Sequence, residues 1–158
     1  PSEKSSELLA KRGFSPEIVE LARRHFSGQF EPDKMFSNLM KLGKAYNPHT
    51  GLQQMPHMLF YGLQSKLQPE AMIFGESVVL KNWSVMDRLG EIKVPTLVIA
   101  GREDFIYPPE HQEELAAGIP NARLVLIDRA GHNPHDEQTA ETLAAIRGFL
   151  ADASPGSA

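Results

Sequence analysis

Two short segments hold the residue types that acid–base chemistry needs. Gly101-Arg102-Glu103-Asp104 offers a carboxylate, and Gly131-His132 offers an imidazole. Each follows an apolar run, Leu97–Ala100 in one case and Leu124–Ile127 in the other. A carboxylate beside an imidazole fixes its tautomer and stabilises the imidazolium that forms when the ring takes a proton. Asp104 and His132 are therefore the candidate acid and base of a nucleophile–base–acid relay. Singly, each has an ordinary reading. Asp is common in turns, and a lone histidine is usually a surface or hydrogen-bonded residue. The pair stands out because both members follow a strand-like run, each with a glycine before it, acid first. Glu103 is the alternative acid.

The elements that must position this pair form a simple alternation. Val94–Ala100, closed by Gly101, reads as a strand buried on both faces, as in a parallel sheet. Pro95 belongs at its first residues. A helix over Pro109–Ala117 ends at Gly118 and Pro120. Arg123–Asp128 is a second strand, and a last helix runs from about Glu137 to Ala151. That helix should turn Leu143, Ile146, Phe149 and Leu150 inward. His135 and Asp136 should start or cap it. Strand, helix, strand, helix implies an α/β class with parallel pairing and right-handed crossovers. In such sheets functional groups gather at the carboxyl ends of strands. That places the Asp104 and His132 loops on one edge. Two strands alone are marginal in water, so this region is expected to be the end of a larger sheet.

The first half of the chain is helical and rich in methionine and aromatics. Ser15 caps a helix and Pro16 fits its first turn. Ile18, Val19, Leu21, Ala22 and Phe26 recur at helical spacing. A second helix from Pro32 should bury Met35, Phe36, Leu39, Met40 and Leu42. Leu52–Leu67 offers a third apolar face, and Pro69 and Gly75 bound a shorter piece. Pro1–Ser6 and Ser154–Ala158 read as loose ends. The expected organisation is a helical cap over residues 1–82, an α/β core over 83–153 and a loose tail over 154–158.

Composition removes several classes of function. The chain has 158 residues and a formal charge of −4, with 41% hydrophobic residues and no Cys. The missing Cys excludes a disulfide framework, thiolate zinc sites and a Cys nucleophile. A mildly acidic balance without a basic stretch argues against a nucleic-acid partner. The apolar run Leu97–Ala100 is far short of the roughly 20 residues a membrane span needs, so no membrane partner is expected. The first residues carry no signal-peptide pattern, which suggests a cytoplasmic protein. The six histidines lack metal-binding spacing, and no metal or organic cofactor is expected. Glu20, Glu31, Glu70 and Glu76 read as a solvated face.

The stretch from about Asn82 to Ala151 resembles the C-terminal half of the α/β-hydrolase fold. In that superfamily a strand ending in G-x-x-D supplies the acid and a later G-H supplies the base. The resemblance implies Asp104 as acid and His132 as base, and the preceding helices as the cap or lid. Leu80–Leu89, with Trp83 and Asp87, running into Ile92–Leu97, is most similar to proline iminopeptidases. That implies a serine hydrolase cutting an ester or amide bond, in particular an aminopeptidase acting on a small peptide. One cap carboxylate would then bind the substrate's amino group. Carboxylesterases, lactonases, C–C hydrolases, dehalogenases and epoxide hydrolases share the same frame. A non-catalytic binding or regulatory fragment is the rival from another class. The family's nucleophile motif G-x-S-x-G is absent. Ser15 and Ser77 have glycine two residues before, at Gly13 and Gly75, but Glu17 and Val79 two residues after. The expected partner is therefore a companion polypeptide or N-terminal half carrying that motif, and Pro1 is read as a cut site.

Overall fold

Ser15 and Pro16 begin a helix for the reasons their chemistry suggests. The Ser15 side chain accepts from the Ile18 N–H, and Pro16 occupies the first turn, where no N–H is needed. The computed structural model describes residues 2–27, 29, 31–49, 68–80 and 83–153. In chain order these form α1 (Ser2–Lys11), α2 (Pro16–Phe26), α3 (Met35–Tyr46) and α4 (Pro69–Phe74). Then come β1 (Thr96–Gly101), α5 (Pro109–Gly118), β2 (Ala122–Ile127), α6 (Pro134–Glu137) and α7 (Thr139–Ala153). The third apolar face expected over Leu52–Leu67 and the tail 154–158 lie outside the described residues.

The two strands pair in parallel, from Thr96 opposite Ala122 to Gly101 opposite Ile127. Both α5 and α7 pack against them. Among the described residues neither strand has a second neighbour. The consequence shows in burial. Val98, Ala100 and Ile127 are buried, but the rest of the two apolar runs is only half-buried. Likewise Leu143 and Leu150 of α7, expected inward, are 40% and 57% exposed. Two strands offer too little surface to cover a 15-residue helix.

The main apolar cluster lies elsewhere. Leu9, Ala22, Leu42, Ala45 and Phe105 are fully buried together. Each large apolar side chain so buried contributes roughly 1.5–3 kcal/mol. This cluster joins the first three helices to the loop after β1, so the helical region and the acid-bearing loop share one core. It corrects two expectations. Of the expected loose end Pro1–Ser6, Pro1 lies outside the described residues and Ser2–Ser6 is helical instead: α1 begins at Ser2, and Ser5, Ser6 and Leu9 are buried. Met40, expected inward on α3, is 66% exposed, because Met35, Leu42 and Ala45 supply the buried face of α3. The last helix is also divided. His135 and Asp136 belong to the short α6, and α7 starts anew at Thr139. No helix among the described residues is long and apolar enough to cross a membrane.

Candidate active site

The loop after β1 delivers Asp104 in a fixed orientation. Its Oδ1 accepts the backbone N–H groups of Ile106 at 2.8 Å and Tyr107 at 3.2 Å. This is the local self-closure that makes Asp a turn residue. The neighbouring Phe105 is fully buried and meets Phe26 and Tyr46 edge to face, which anchors the loop from below. The other carboxylate oxygen, Oδ2, faces His132 Nδ1 at 2.9 Å. Asp104 is 4% exposed, while a third of the His132 side chain reaches solvent. An ionised carboxylate only accepts, so Nδ1 carries the ring proton and Nε2 is left as the proton acceptor. The His132 ring stacks on Tyr107 and meets Tyr46 edge to face.

Backbone contacts bring the two loops together. Arg102 N–H donates to the Ile127 carbonyl, and Glu103 N–H to the Ala130 carbonyl at 2.8 Å. Gly101 has no room for a side chain against the Ala130 and Gly131 carbonyls. Glycine is required there because the two backbones touch. Glu103 does not reach His132. Its Oε1 lies 2.8 Å from His49 Nε2, so the contact with the imidazole falls to Asp104, the acid preferred from the sequence, and not to Glu103.

Three further groups surround the pair. Glu137 is buried, and its two oxygens accept the backbone N–H groups of Gly131 and His49, each at 2.7 Å. Burial pushes its carboxyl above the ordinary range, and those two N–H groups oppose the shift. Arg12 is held below its ordinary value by burial, opposed by Glu103, Asp104 and Glu137. Its Nη1 is buried without a hydrogen-bond partner. The last group is the run Tyr46–His49 at the end of α3. The Tyr46 carbonyl accepts the His132 N–H at 2.8 Å, and Asn47 Oδ1 accepts from Asn133 Nδ2 at 2.7 Å.

None of Arg12, Tyr46, Asn47, His49 or Glu137 is singled out by the sequence pattern. Asn47-Pro48 reads as chain punctuation, Glu137 as the start of the last helix, and the sequence pattern assigns Arg12 no role. The hydrogen bonds that bring Asn47 and His49 to the site span 54 to 88 positions of chain. Among the described residues no three His, Asp or Glu side chains cluster as a metal site would require.

The raised Glu137 carboxyl gives a pH prediction. Ionising it costs more in the folded than in the unfolded chain. Its contribution to stability is complete below the ordinary carboxylate range and is lost as pH rises through the raised folded value. Glu137→Gln does not titrate. Wild-type stability relative to Glu137→Gln should therefore fall as pH rises from 4 to 8, read from urea midpoints. A relative stability that climbs with pH would show that the two N–H bonds outweigh burial.

Comparison with known proteins matches this architecture. A model of the alpha/beta hydrolase fold matches residues 14–139. The chain is 46% identical over 57 residues to a 2-hydroxy-6-oxo-6-phenylhexa-2,4-dienoate hydrolase of Burkholderia cepacia, covering 36% of this chain and 20% of that one. It is 29% identical over 100 residues to a pimeloyl-[acyl-carrier protein] methyl ester esterase of Legionella pneumophila, covering 63% and 41%. A thermophilic esterase from Thermogutta terrifontis has a similar structure, with TM-score 0.54 and 28% identity, covering 89% of this chain and 52% of that chain. The chain thus spans at most about half the length of these proteins.

Proposed function

The chain belongs to the alpha/beta hydrolase fold family, and on that premise we propose that it is the acid- and base-bearing portion of a hydrolase acting on an ester or similar acyl compound. The observation that supports this most is the 2.9 Å contact between His132 Nδ1 and Asp104 Oδ2. In the proposed reaction a serine hydroxyl, supplied by polypeptide outside these 158 residues, attacks the substrate carbonyl carbon. A C–O bond forms and the carbonyl electron pair moves onto its oxygen. The hydroxyl proton passes to His132 Nε2. The intermediate collapses, the bond to the leaving group breaks, and Nε2 returns the proton to that group. Water then repeats the sequence on the acyl-enzyme. Asp104 holds the tautomer throughout. The polypeptide supplying the serine is the preceding part of the same protein or a companion chain.

The relatives named above are called a dienoate hydrolase and a methyl ester esterase, which favours an acyl substrate over a peptide. The aminopeptidase reading is the second one. It is supported by the approach through Trp83 and Asp87 into β1, which resembles proline iminopeptidases. A serine-directed fluorophosphonate probe tests the scheme in the protein that carries this chain. The label is expected on a serine outside residues 1–158 and is expected to vanish with His132→Ala. A label on Ser15 or Ser77 would overturn the assignment. Turnover without labelling would point to a carboxylate nucleophile. Hydrolysis of a short p-nitrophenyl ester should exceed that of a proline p-nitroanilide; the reverse order would favour the aminopeptidase.

A further inference from the structure

We propose that His49 is a positioning residue for the Asp104–His132 pair, acting through Glu103 and Glu137; its catalytic consequence, though not its geometry, rests on the function proposed above. Four consecutive residues at the end of α3 hold both site loops. The Tyr46 carbonyl accepts the His132 N–H. Asn47 bonds Asn133, the residue after the base. Pro48 lies against Gly131, where a Cβ would come within 2.5 Å of the proline ring. His49 then makes the two bonds that reach in opposite directions. Its backbone N–H donates to Glu137 Oε2 at 2.7 Å, and Glu137 Oε1 accepts the Gly131 N–H just before the base. Its ring Nε2 meets Glu103 Oε1 at 2.8 Å, just before the acid.

His49 therefore ties the end of α3 to the residue preceding each member of the pair. Glu103 accepts only, so His49 Nε2 carries the proton in this contact. The Glu103 backbone also donates to Ala130, so pulling Glu103 strains the base loop as well as the acid loop. Both side chains are partly exposed, at 29% and 35%. An exposed ion pair contributes little to stability. The value of this one lies in geometry, since a displacement of about 1 Å at a reacting pair costs up to ~10²-fold in rate.

The test uses three variants, His49→Ala, His49→Gln and Glu103→Ala, and two readouts. One is the His132 Nδ1–H proton resonance, read in the protein that carries this chain, whose exchange with water reports the bond to Asp104. The other is kcat and KM in the hydrolase that carries the chain. His49→Ala should speed Nδ1–H exchange and lower kcat about tenfold, with KM within about twofold. His49→Gln places an amide N–H where Nε2 stood and should restore both. The Glu103→Ala effect should match that of His49→Ala, and the double variant should be no worse than either, because one contact is removed twice. An unchanged Nδ1–H signal in His49→Ala would overturn the proposal, as would additive effects, or failure of the Gln variant with a native amide spectrum. The resonance requires no turnover. An inactive hydrolase with a responsive signal would therefore count against the proposed function and leave the positioning role standing.

Discussion

Asp104→Asn should lower kcat by about 10⁴-fold while leaving the fold in place. The size follows from how the carboxylate is held. One oxygen of Asp104 already accepts two backbone N–H groups, from Ile106 and Tyr107. An asparagine must keep its oxygen at that position, since its NH₂ group has nothing to donate to there. The NH₂ group then faces His132 Nδ1. A donor against Nδ1 drives the ring proton to Nε2, and the base loses its acceptor. Stability should change little, because the turn bonds survive. Steady-state kinetics in the protein carrying this chain, beside a urea melt, check both halves. Near-normal turnover would remove Asp104 from the relay and favour the non-catalytic rival. Glu103→Gln is the matched control: it leaves Asp104 untouched, so its loss should be smaller by orders of magnitude.

The second large effect is on stability. Gly101→Ala should cost about 3 kcal/mol or more. An added Cβ would overlap the carbonyl groups of Ala130 and Gly131, which are backbone atoms and have no rotamer to escape into. Relief requires the end of β1 to move away from the loop after β2. That movement would also break the Glu103-to-Ala130 bond and carry Asp104 away from His132. Gly43→Ala, within α3, is the contrast. Nothing lies within 4 Å of its Cβ position, so the substitution should stabilise by about 0.5–1 kcal/mol through helix propensity. Urea midpoints of the two variants should move in opposite directions. A neutral Gly101→Ala would mean that the two loops separate at little cost, and the positioning argument for both would weaken.

Much of the local structure is legible because its causes are local. Ser15-Pro16 starts a helix through capping chemistry within four residues. The runs Leu97–Ala100 and Leu124–Ile127 are strands because they are short, apolar and bounded by turn residues. Alternation of these with helices implies parallel pairing, which lays the two strand ends side by side. From that topology alone Asp104 and His132 become candidates for one site. The errors have local causes too. Leu143, Leu150 and Met40 have the right periodicity for burial, but periodicity says only which face is apolar. Whether something covers that face is a property of neighbours. Helix α1 is hidden for the opposite reason: its first residues are polar, and Leu9 is buried in a cluster that includes Phe105, far along the chain.

The sequence by itself thus determined the α/β class, the two strands with their order, and the two residue types that stand at their ends. Only the tertiary structure decided what Glu103 meets: Asp104, the acid preferred from the sequence, lies on His132, and Glu103 lies on His49. It alone also recruited Tyr46–His49, Glu137 and Arg12 to the surroundings of the pair. The physical reason is range. Caps, turns and strand propensity act over a few residues and are written in the local pattern. The 2.9 Å placement of an imidazole on a carboxylate depends on backbone approach at Gly101 and on bonds that close loops of 54 to 88 residues. No local pattern encodes those distances.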